Sequence, residues 1–432
     1  MPKNNVSIRP QAARLTRPLF IVLCLALVAR VGVLFLMPGA LSTDPDDYWR
    51  LAVNIAQHGT LGHENVPSAF RPPLYPLMLS PCAIIDADDW SRVAVGVLHV
   101  ALGLATVGLT FGLAVRLELK KWAPLAALLV AFDPILLGQS RLIMTETAAT
   151  FLATAALFAM AMLLERPTAG RAGWVGGTMA AASLCRPVFL PWMVLSFVLL
   201  AVFVKRRSND EAGGSRTHPT SWLIVLTAVT VASCVLTPWV VRNQLQFKRP
   251  IITTTHGGYT LFLGNNRSFY DHLLTAQWGS VWDAKELDPR WQRDPRALTP
   301  EIELTDDREA YEAAYATIRS RPGIFIYSCL IRVGRLWAVM PHHVSGGRLV
   351  AAWYVLEFFL AVLGIWVIFR YEKARSPVWL WAILLVACIT AVHTFYWTNM
   401  RMRAPLEPVI ALAATAGLAC MVRRKYSDKT GS

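Results

Sequence analysis

Apolar stretches long enough to cross a bilayer recur along this chain, and a soluble fold has no way to bury so many of them. At about 1.5 Å of rise per residue, roughly 20 mostly apolar residues cover the roughly 30 Å of hydrocarbon. Ten such stretches are legible: Pro18–Met37, Arg92–Leu117, Trp122–Gly138, Glu146–Leu164, Gly173–Cys185, Val188–Val204, Trp222–Val240, Leu349–Phe369, Val378–Tyr396 and Pro408–Val422. The fifth is short and rich in glycine and alanine. Composition agrees, because 55% of residues are hydrophobic and only 16% charged, against about 25% charged in soluble proteins. The predicted fold class is an all-α polytopic membrane protein of about ten transmembrane helices, with interfacial helices in its first outer loop.

The formal net charge is +14. In a soluble protein that excess would suit nucleic acid, but here the basic residues gather in short connectors between apolar runs, so no nucleic-acid partner is expected. An inside amino terminus, carrying Lys3, Arg9, Arg14 and Arg17, puts Lys120 and Lys121, Arg166 and Arg171, Lys205–Arg207, Arg370–Arg375 and Arg423–Lys425 on the same cytoplasmic side. Ten spans with both ends inside satisfy every one of these connectors. The first run is long for the roughly 7–15 apolar residues of a cleaved signal peptide, so it reads as a span. Seven cysteines are scattered without CxxC spacing, which implies neither a disulfide framework nor a zinc site.

This topology divides the chain into a cytoplasmic tail (1–17), a catalytic transmembrane module (18–240) with an outer loop (38–90), a large outer loop (241–348), C-terminal membrane helices (349–422) and a second tail (423–432). In the first loop Tyr48, Leu51, Ala52 and Ile55 recur at helical spacing, which predicts an interfacial amphipathic helix over Asp46–Ala56. Leu74–Ile85 is apolar but too short to span, so it lies along or re-enters the membrane surface. In the second loop Asp306–Arg321 reads as a charged helix, and Tyr327, Leu330, Trp337 and Met340 continue as an apolar one interrupted by Arg332 and Arg335. No internal repeat and no Walker or Rossmann glycine pattern occurs.

A second set of polar residues falls at the outer ends of the spans, where topology does not require them. Asp44, Asp46 and Asp47 sit in an Asp-Pro-Asp-Asp-Tyr stretch just beyond the first span. Asp133 precedes Pro134, Arg141 and Glu146 bracket the turn into the fourth span, and Arg186 precedes Pro187. Arg242 and Asn243 follow Pro238, while Arg401 and Arg403 precede Pro405. Ionisable groups at membrane depth are functional by default, and acids converging with arginines suit a site that handles a proton and a phosphate. Plainer readings exist for each one: an aspartate can cap the interfacial helix, Glu146 can answer a helix dipole, and an Arg beside Pro can be a snorkelling anchor. His256, His342 and His343 read as loop residues rather than metal ligands, because no carboxylate stands at ligand spacing beside them. The strongest alternative class is a transporter or lipid-sugar flippase, but such proteins place their charges near the midplane, whereas here the charges lie at one face.

Asp44 followed by Tyr48, Ala52 and Gly59, then Arg71-Pro-Pro-Leu-Tyr-Pro76, resembles the first extracytoplasmic loop of the GT-C superfamily of polyprenyl-phosphate-sugar-dependent glycosyltransferases. The nearest branch is similar to protein O-mannosyltransferases, the lipid A aminoarabinose transferase and the rhizobial lipopolysaccharide transferases. Thr145-Glu146-Thr147, Leu184-Cys-Arg-Pro187, Pro238-Trp-Val-Val-Arg-Asn243, Gly258-Tyr-Thr-Leu-Phe-Leu-Gly-Asn265 and Arg401-Met-Arg-Ala-Pro405 follow in the family's order. The resemblance implies an integral protein of a bacterial inner membrane with its site facing the periplasm or exterior. It also implies inverting transfer of a sugar, hexose or pentose, from a polyprenyl-phosphate donor within the membrane lipid to an extracytoplasmic acceptor that is lipid, glycan or protein.

Asp44 aligns with the family's loop aspartate, the general base. Many relatives have Glu next, whereas Pro45 follows here, which leaves Asp46 and Asp47 open for that place although the offset to Tyr48 favours Asp44. Glu146 aligns with the second-loop acid, which orients the acceptor or, in oligosaccharyltransferases, helps bind a metal. This branch usually works without one, so no cofactor is expected and a divalent metal stays open. A departing phosphate needs guanidinium partners; Arg242, Arg186, Arg71 and Arg401, in that order, are the candidates to hold it. Tyr48, Tyr75, Asn243 and Tyr259 are the candidate contacts to sugar or prenyl chain.

Overall fold

Each long apolar run satisfies its backbone polar groups internally as a helix, the solution a hydrocarbon solvent imposes. The computed structural model describes residues 9–37, 39–84, 88–211, 219–277, 280–287, 299–341, 346–370 and 376–430. Among them, eight helices are long and apolar enough to cross a membrane. They lie within α1 (Arg9–Leu36), α4 (Asp88–Arg116), α7 (Glu146–Glu165), α9 (Phe189–Glu211), α10 (Pro219–Phe247), α15 (Gly347–Arg370), α16 (Val378–Phe395) and the 3-10 segment Met400–Leu406 continuing into α17 (Glu407–Thr430).

Of the two other expected spans, one is broken: α5 (Ala123–Phe132) and α6 (Pro134–Ser140), bent by 49° at their junction, together make a ninth. The bend has a local cause. Asp133 accepts a hydrogen bond from the Leu136 amide at 2.7 Å and Pro134 occupies the first helical position, so a new helix starts where the old one would have continued. The remaining candidate, Gly173–Cys185, is α8 (Ala169–Cys185), whose 17 residues run back from the far end of α7 to set Arg186 beside Glu146 at its start. Its small residues serve packing. A Cβ on Gly176 would collide with the Ala228 carbonyl of α10, so only glycine lets these two backbones approach.

The outer segments take the predicted forms. α2 (Tyr48–His58) buries Tyr48, Leu51 and Ala52 and stops at Gly59, whose left-handed φ of 67° closes the helix by a bond to the Ile55 carbonyl. α3 (Leu74–Ala83) is the short apolar helix. Between them Gly62–His63 pairs antiparallel with Val66–Pro67 as a minimal hairpin. The second outer loop carries α11 (Gly257–Gly264), α12 (Arg267–Thr275), α13 (Pro300–Ser320) and α14 (Pro322–Leu336) around a small core of its own that includes Phe269, Tyr270 and Trp282. Arg332 interrupts apolar α14 for a reason: its Nε donates to the Thr394 carbonyl at 2.7 Å and its Nη1 to the Gly264 carbonyl, tying α14 to α16 and α11. His342, His343, Pro38, residues 1–8 with Lys3, and the 371–375 part of the basic connector lie outside the described residues.

One expectation about charge placement fails. Asp133 lies only about 15 Å along α5 from its start at 1.5 Å per residue, and its carboxylate meets those of Glu357 and Glu407, all three buried and with ligand atoms within 4.8 Å of one another. Charges are thus found at mid-helix as well as at one face. The group is held from all sides: Tyr354 donates to Asp133 at 3.0 Å, Trp353 to Glu357 at 2.9 Å, and Arg403 to Glu407 at 2.7 Å. Arg403 also donates to the carbonyls of Leu336 and Ala338 and lies over the Tyr354 ring. The arrangement knots the α5–α6 break to α15 and α17.

Candidate functional site

The three loop aspartates take different partners. Asp44 accepts the Tyr48 amide at 2.9 Å with one oxygen and the Trp49 amide at 2.7 Å with the other, capping α2 from four residues before its first residue. Burial holds its carboxyl above the usual aspartate range, against the opposing pull of those two amides. Asp46 receives the Arg71 guanidinium at 3.0 Å, and Asp47, in a left-handed turn, pairs with Arg50. Arg71 donates its remaining Nη1 to His256 Nε2 at 3.0 Å, which makes that ring an acceptor there, and burial with the nearby Arg71 charge pushes the His256 pKa well down. Tyr259 stacks beside His256, with ring centroids 5.4 Å apart.

A second loop is laced to the first through backbone. The Leu41 amide donates to the Arg141 carbonyl at 2.6 Å and the Ile143 amide to the Thr43 carbonyl at 3.1 Å. Asp44 and the start of α7 at Glu146 are therefore side by side. Tyr48 and Tyr75 pack edge to face between them at 5.2 Å, and the Tyr75 phenol lies within electrostatic reach of both Asp44 and Glu146. Its hydroxyl is fixed by His99 at 2.8 Å, whose other ring nitrogen donates to the Ser140 carbonyl at 2.9 Å.

Glu146 is 1% exposed, and one of its oxygens lies 3.5 Å from Arg186 Nη1 and 3.6 Å from Arg401 Nε. Arg186 is placed by the extended residue that ends α8 before Pro187, with its Nη2 against the Met402 sulfur at 2.7 Å. Arg401 is placed by the 3-10 segment that the Asn399 side chain initiates. The separations to Glu146 are long for hydrogen bonds. Among the described residues, Glu146 Oε2, Arg186 Nη1 and Arg401 Nε have no hydrogen-bond partner, nor do Thr147 Oγ1, Thr398 Oγ1 and both ring nitrogens of His393. Each such buried group costs about 1–3 kcal/mol, so the meeting of Glu146, Arg186 and Arg401 with an unsatisfied atom on each marks a place suited to a polar ligand. Two guanidiniums against one carboxylate make that ligand an anion.

Arg242 and Asn243 do not join this cluster. Arg242 gives its donors to the Leu61 carbonyl at 2.8 Å, the Ser68 carbonyl at 3.0 Å and Asn243 Oδ1 at 2.8 Å, and Asn243 donates to the Ile251 carbonyl at 2.9 Å. Glu303, lifted above its usual pKa by burial, accepts from Ser68, the Ala69 amide and Thr255. These residues clamp the 61–69 segment between α10 and α13. The structure thus gathers Asp44, Tyr48, Tyr75, Glu146, Arg186 and Arg401, places Arg71 and Tyr259 alongside around Asp46 and His256, and turns Asp47, Arg242 and Asn243 elsewhere. His393, Thr398, Glu357 and Glu407 escaped the sequence reading, although a lone ionisable residue inside an apolar run was the available signal for His393 and Glu357. Among the described residues, acids come within shared reach of one metal ion only at Asp133, Glu357 and Glu407, where Arg403 already supplies positive charge.

Comparison with known proteins agrees with this architecture. Residues 85–205, which include Glu146 and Arg186, match the family model for dolichyl-phosphate-mannose-protein mannosyltransferase. The oligosaccharyltransferase of Archaeoglobus fulgidus, solved with a tethered acceptor peptide, is similar at a TM-score of 0.54 and 14% identity over 94% of this chain and 50% of that one. The same enzyme with zinc and sulfate gives a TM-score of 0.54 over 94% and 49%. ArnT from Cupriavidus metallidurans in the apo state gives 0.42 at 14% identity over 92% and 77%. No curated protein matches the chain. The chain spans about half the length of the oligosaccharyltransferases it matches. The expected GT-C resemblance is thereby borne out by a family match over part of the chain and a shared membrane fold along nearly all of it.

Proposed function

We propose that this chain, built on the GT-C glycosyltransferase fold, transfers a sugar from a polyprenyl-phosphate donor to an acceptor at the outer face of a bacterial inner membrane, with inversion at the anomeric carbon. The observation that carries this reading is the convergence beside Asp44 of Glu146, Arg186 and Arg401, each with a buried atom that makes no hydrogen bond. The donor's prenyl chain stays in the bilayer, so the reacting phosphate must be met at a membrane-facing end of the helices. Arg186 and Arg401 would receive it, and Glu146 would hold the two guanidiniums in place.

Asp44 is the base. Its oxygens each keep a lone pair beyond the amide bonds they accept, and a raised pKa strengthens a carboxylate as a proton acceptor. The acceptor hydroxyl gives its proton to Asp44 as its oxygen bonds to the anomeric carbon, and the bond from that carbon to the phosphate oxygen breaks with its electron pair. The lipid phosphate gains one negative charge, which the two arginines stabilise. Such base catalysis contributes about 10²- to 10⁴-fold.

The test is transfer of label from a radiolabelled polyprenyl monophosphate sugar by the purified protein in nanodiscs supplied with membrane extract as acceptor. Label appearing in a new product supports the reading. Movement of the intact donor across proteoliposomes without any transfer would replace it with a flippase.

A further inference from the structure

α16 is an apolar span with one histidine in it. His393 is 6% exposed, and neither ring nitrogen meets hydrogen-bond distance and angle with any partner among the described residues, although the Trp397 backbone lies close enough to act on the ring. Packing does not account for that choice. Leucine or phenylalanine would fill the same volume without an unpartnered buried group. His99 marks the contrast: it is equally enclosed, yet both of its nitrogens are engaged, by the Tyr75 hydroxyl and the Ser140 carbonyl. A satisfied core histidine in this protein looks like His99.

The surroundings of His393 say what it awaits. Arg186 is its charged neighbour. Arg186 in turn lies against Glu146 from α7 and Met402 from the 3-10 segment, which also supplies Arg401. Thr390 on α16 and Thr398 just beyond it likewise carry unpartnered buried hydroxyls. An imidazole has at least one ring N–H whether neutral or protonated. Beside the Arg186 guanidinium, that N–H suits an anionic oxygen.

We infer that His393 is a positioning residue for the donor phosphate, donating a ring N–H to a non-bridging oxygen while Arg186 and Arg401 hold the other. The inference rests on the reading that those arginines receive a lipid phosphate. His393 neither gains nor loses a proton in the transfer. It fixes the rotation of the phosphate, and so the direction in which the sugar carbon faces Asp44.

The test is binding of a polyprenyl phosphate to the purified protein in nanodiscs, with His393→Leu and His393→Gln compared with wild type. A hydrogen bond to a charged group is worth about tenfold or more in affinity. His393→Leu should weaken binding by about that factor and His393→Gln, whose amide can still donate, by much less. In transfer assays His393→Leu should raise the donor KM more than it lowers kcat. Its melting temperature should equal or exceed that of wild type, because a buried unpartnered group is gone. Equal binding by His393→Leu and wild type, or equal loss in both variants with lowered melting temperatures, overturns the inference alone. Failure of wild type to bind the lipid phosphate overturns it together with the proposed function.

Discussion

Replacing Glu146 by glutamine tests the central arrangement, because it removes one charge and leaves the volume nearly intact. Glu146 faces Arg186 at 3.5 Å and Arg401 at 3.6 Å. At an effective dielectric of about 20, each pair is worth about 5 kcal/mol in Coulomb terms. Desolvating the three ions offsets much of that, and removing one partner of a buried pair costs about 3–5 kcal/mol net, since the remaining charges are left uncompensated. Arg401 is 25% exposed, so water screens part of the effect and the low end of the range applies, about 3 kcal/mol. The variant should therefore melt well below wild type.

A second consequence separates this explanation from simple damage. If the two guanidiniums are a phosphate site, a lipid phosphate restores the missing negative charge. Ligand at 100 times its dissociation constant stabilises a protein by about 2.7 kcal/mol. In Glu146→Gln its effect should exceed that in wild type, because it also relieves the repulsion between Arg186 and Arg401. The assay is thermal unfolding of both proteins in nanodiscs with and without polyprenyl phosphate. A variant as stable as wild type, or a lipid phosphate that shifts both equally, refutes the charge argument.

Asp44→Asn should lower transfer about 10²- to 10⁴-fold with the protein still folded, while Asp46→Asn and Asp47→Asn keep activity; the reverse pattern would move the base. Because Asp44 must be ionised to act and its pKa is raised, kcat/KM should fall as pH drops through a value above the ordinary 3.8, and an acid limb at or below that value argues against it. Arg242→Ala should lower stability by about 1–3 kcal/mol for the carbonyls it abandons and leave polyprenyl phosphate affinity unchanged in the same binding assay; a large loss of affinity would return Arg242 to the phosphate. Asp307 accepts the Gly258 amide at 2.7 Å, and burial lifts its pKa from 3.8 to about 6. A raised carboxyl pKa gives stability that is complete below the unfolded value and is lost as pH rises through the folded one. Asp307→Asn should therefore flatten the stability profile between pH 3.8 and about 6, and an unchanged profile measured by denaturation against pH would show that another group titrates there.

What the sequence made legible follows the range of the physics involved. Hydropathy is local, so α1, α4, α7, α9, α10, α15, α16 and the 3-10 segment with α17 were readable, and so were α2 from its periodicity and its end at Gly59. The break at Asp133-Pro134 is also local, a cap followed by a ring that cannot donate. α8 was legible too, although its 17 residues are few for a span and it packs tightly through glycine. Site residues divide on the same line. A helix-end position fixes the depth of an arginine but not the azimuth of its side chain, and azimuth decides whether Arg401 reaches Glu146 or Arg242 reaches Leu61. Those choices depend on partners such as Glu303 for Ser68, 235 residues apart in sequence, which no window along the chain contains. His393 went unread for a related reason. Its signal is the lack of a hydrogen-bond partner, and that can be seen only once every neighbouring helix is in place.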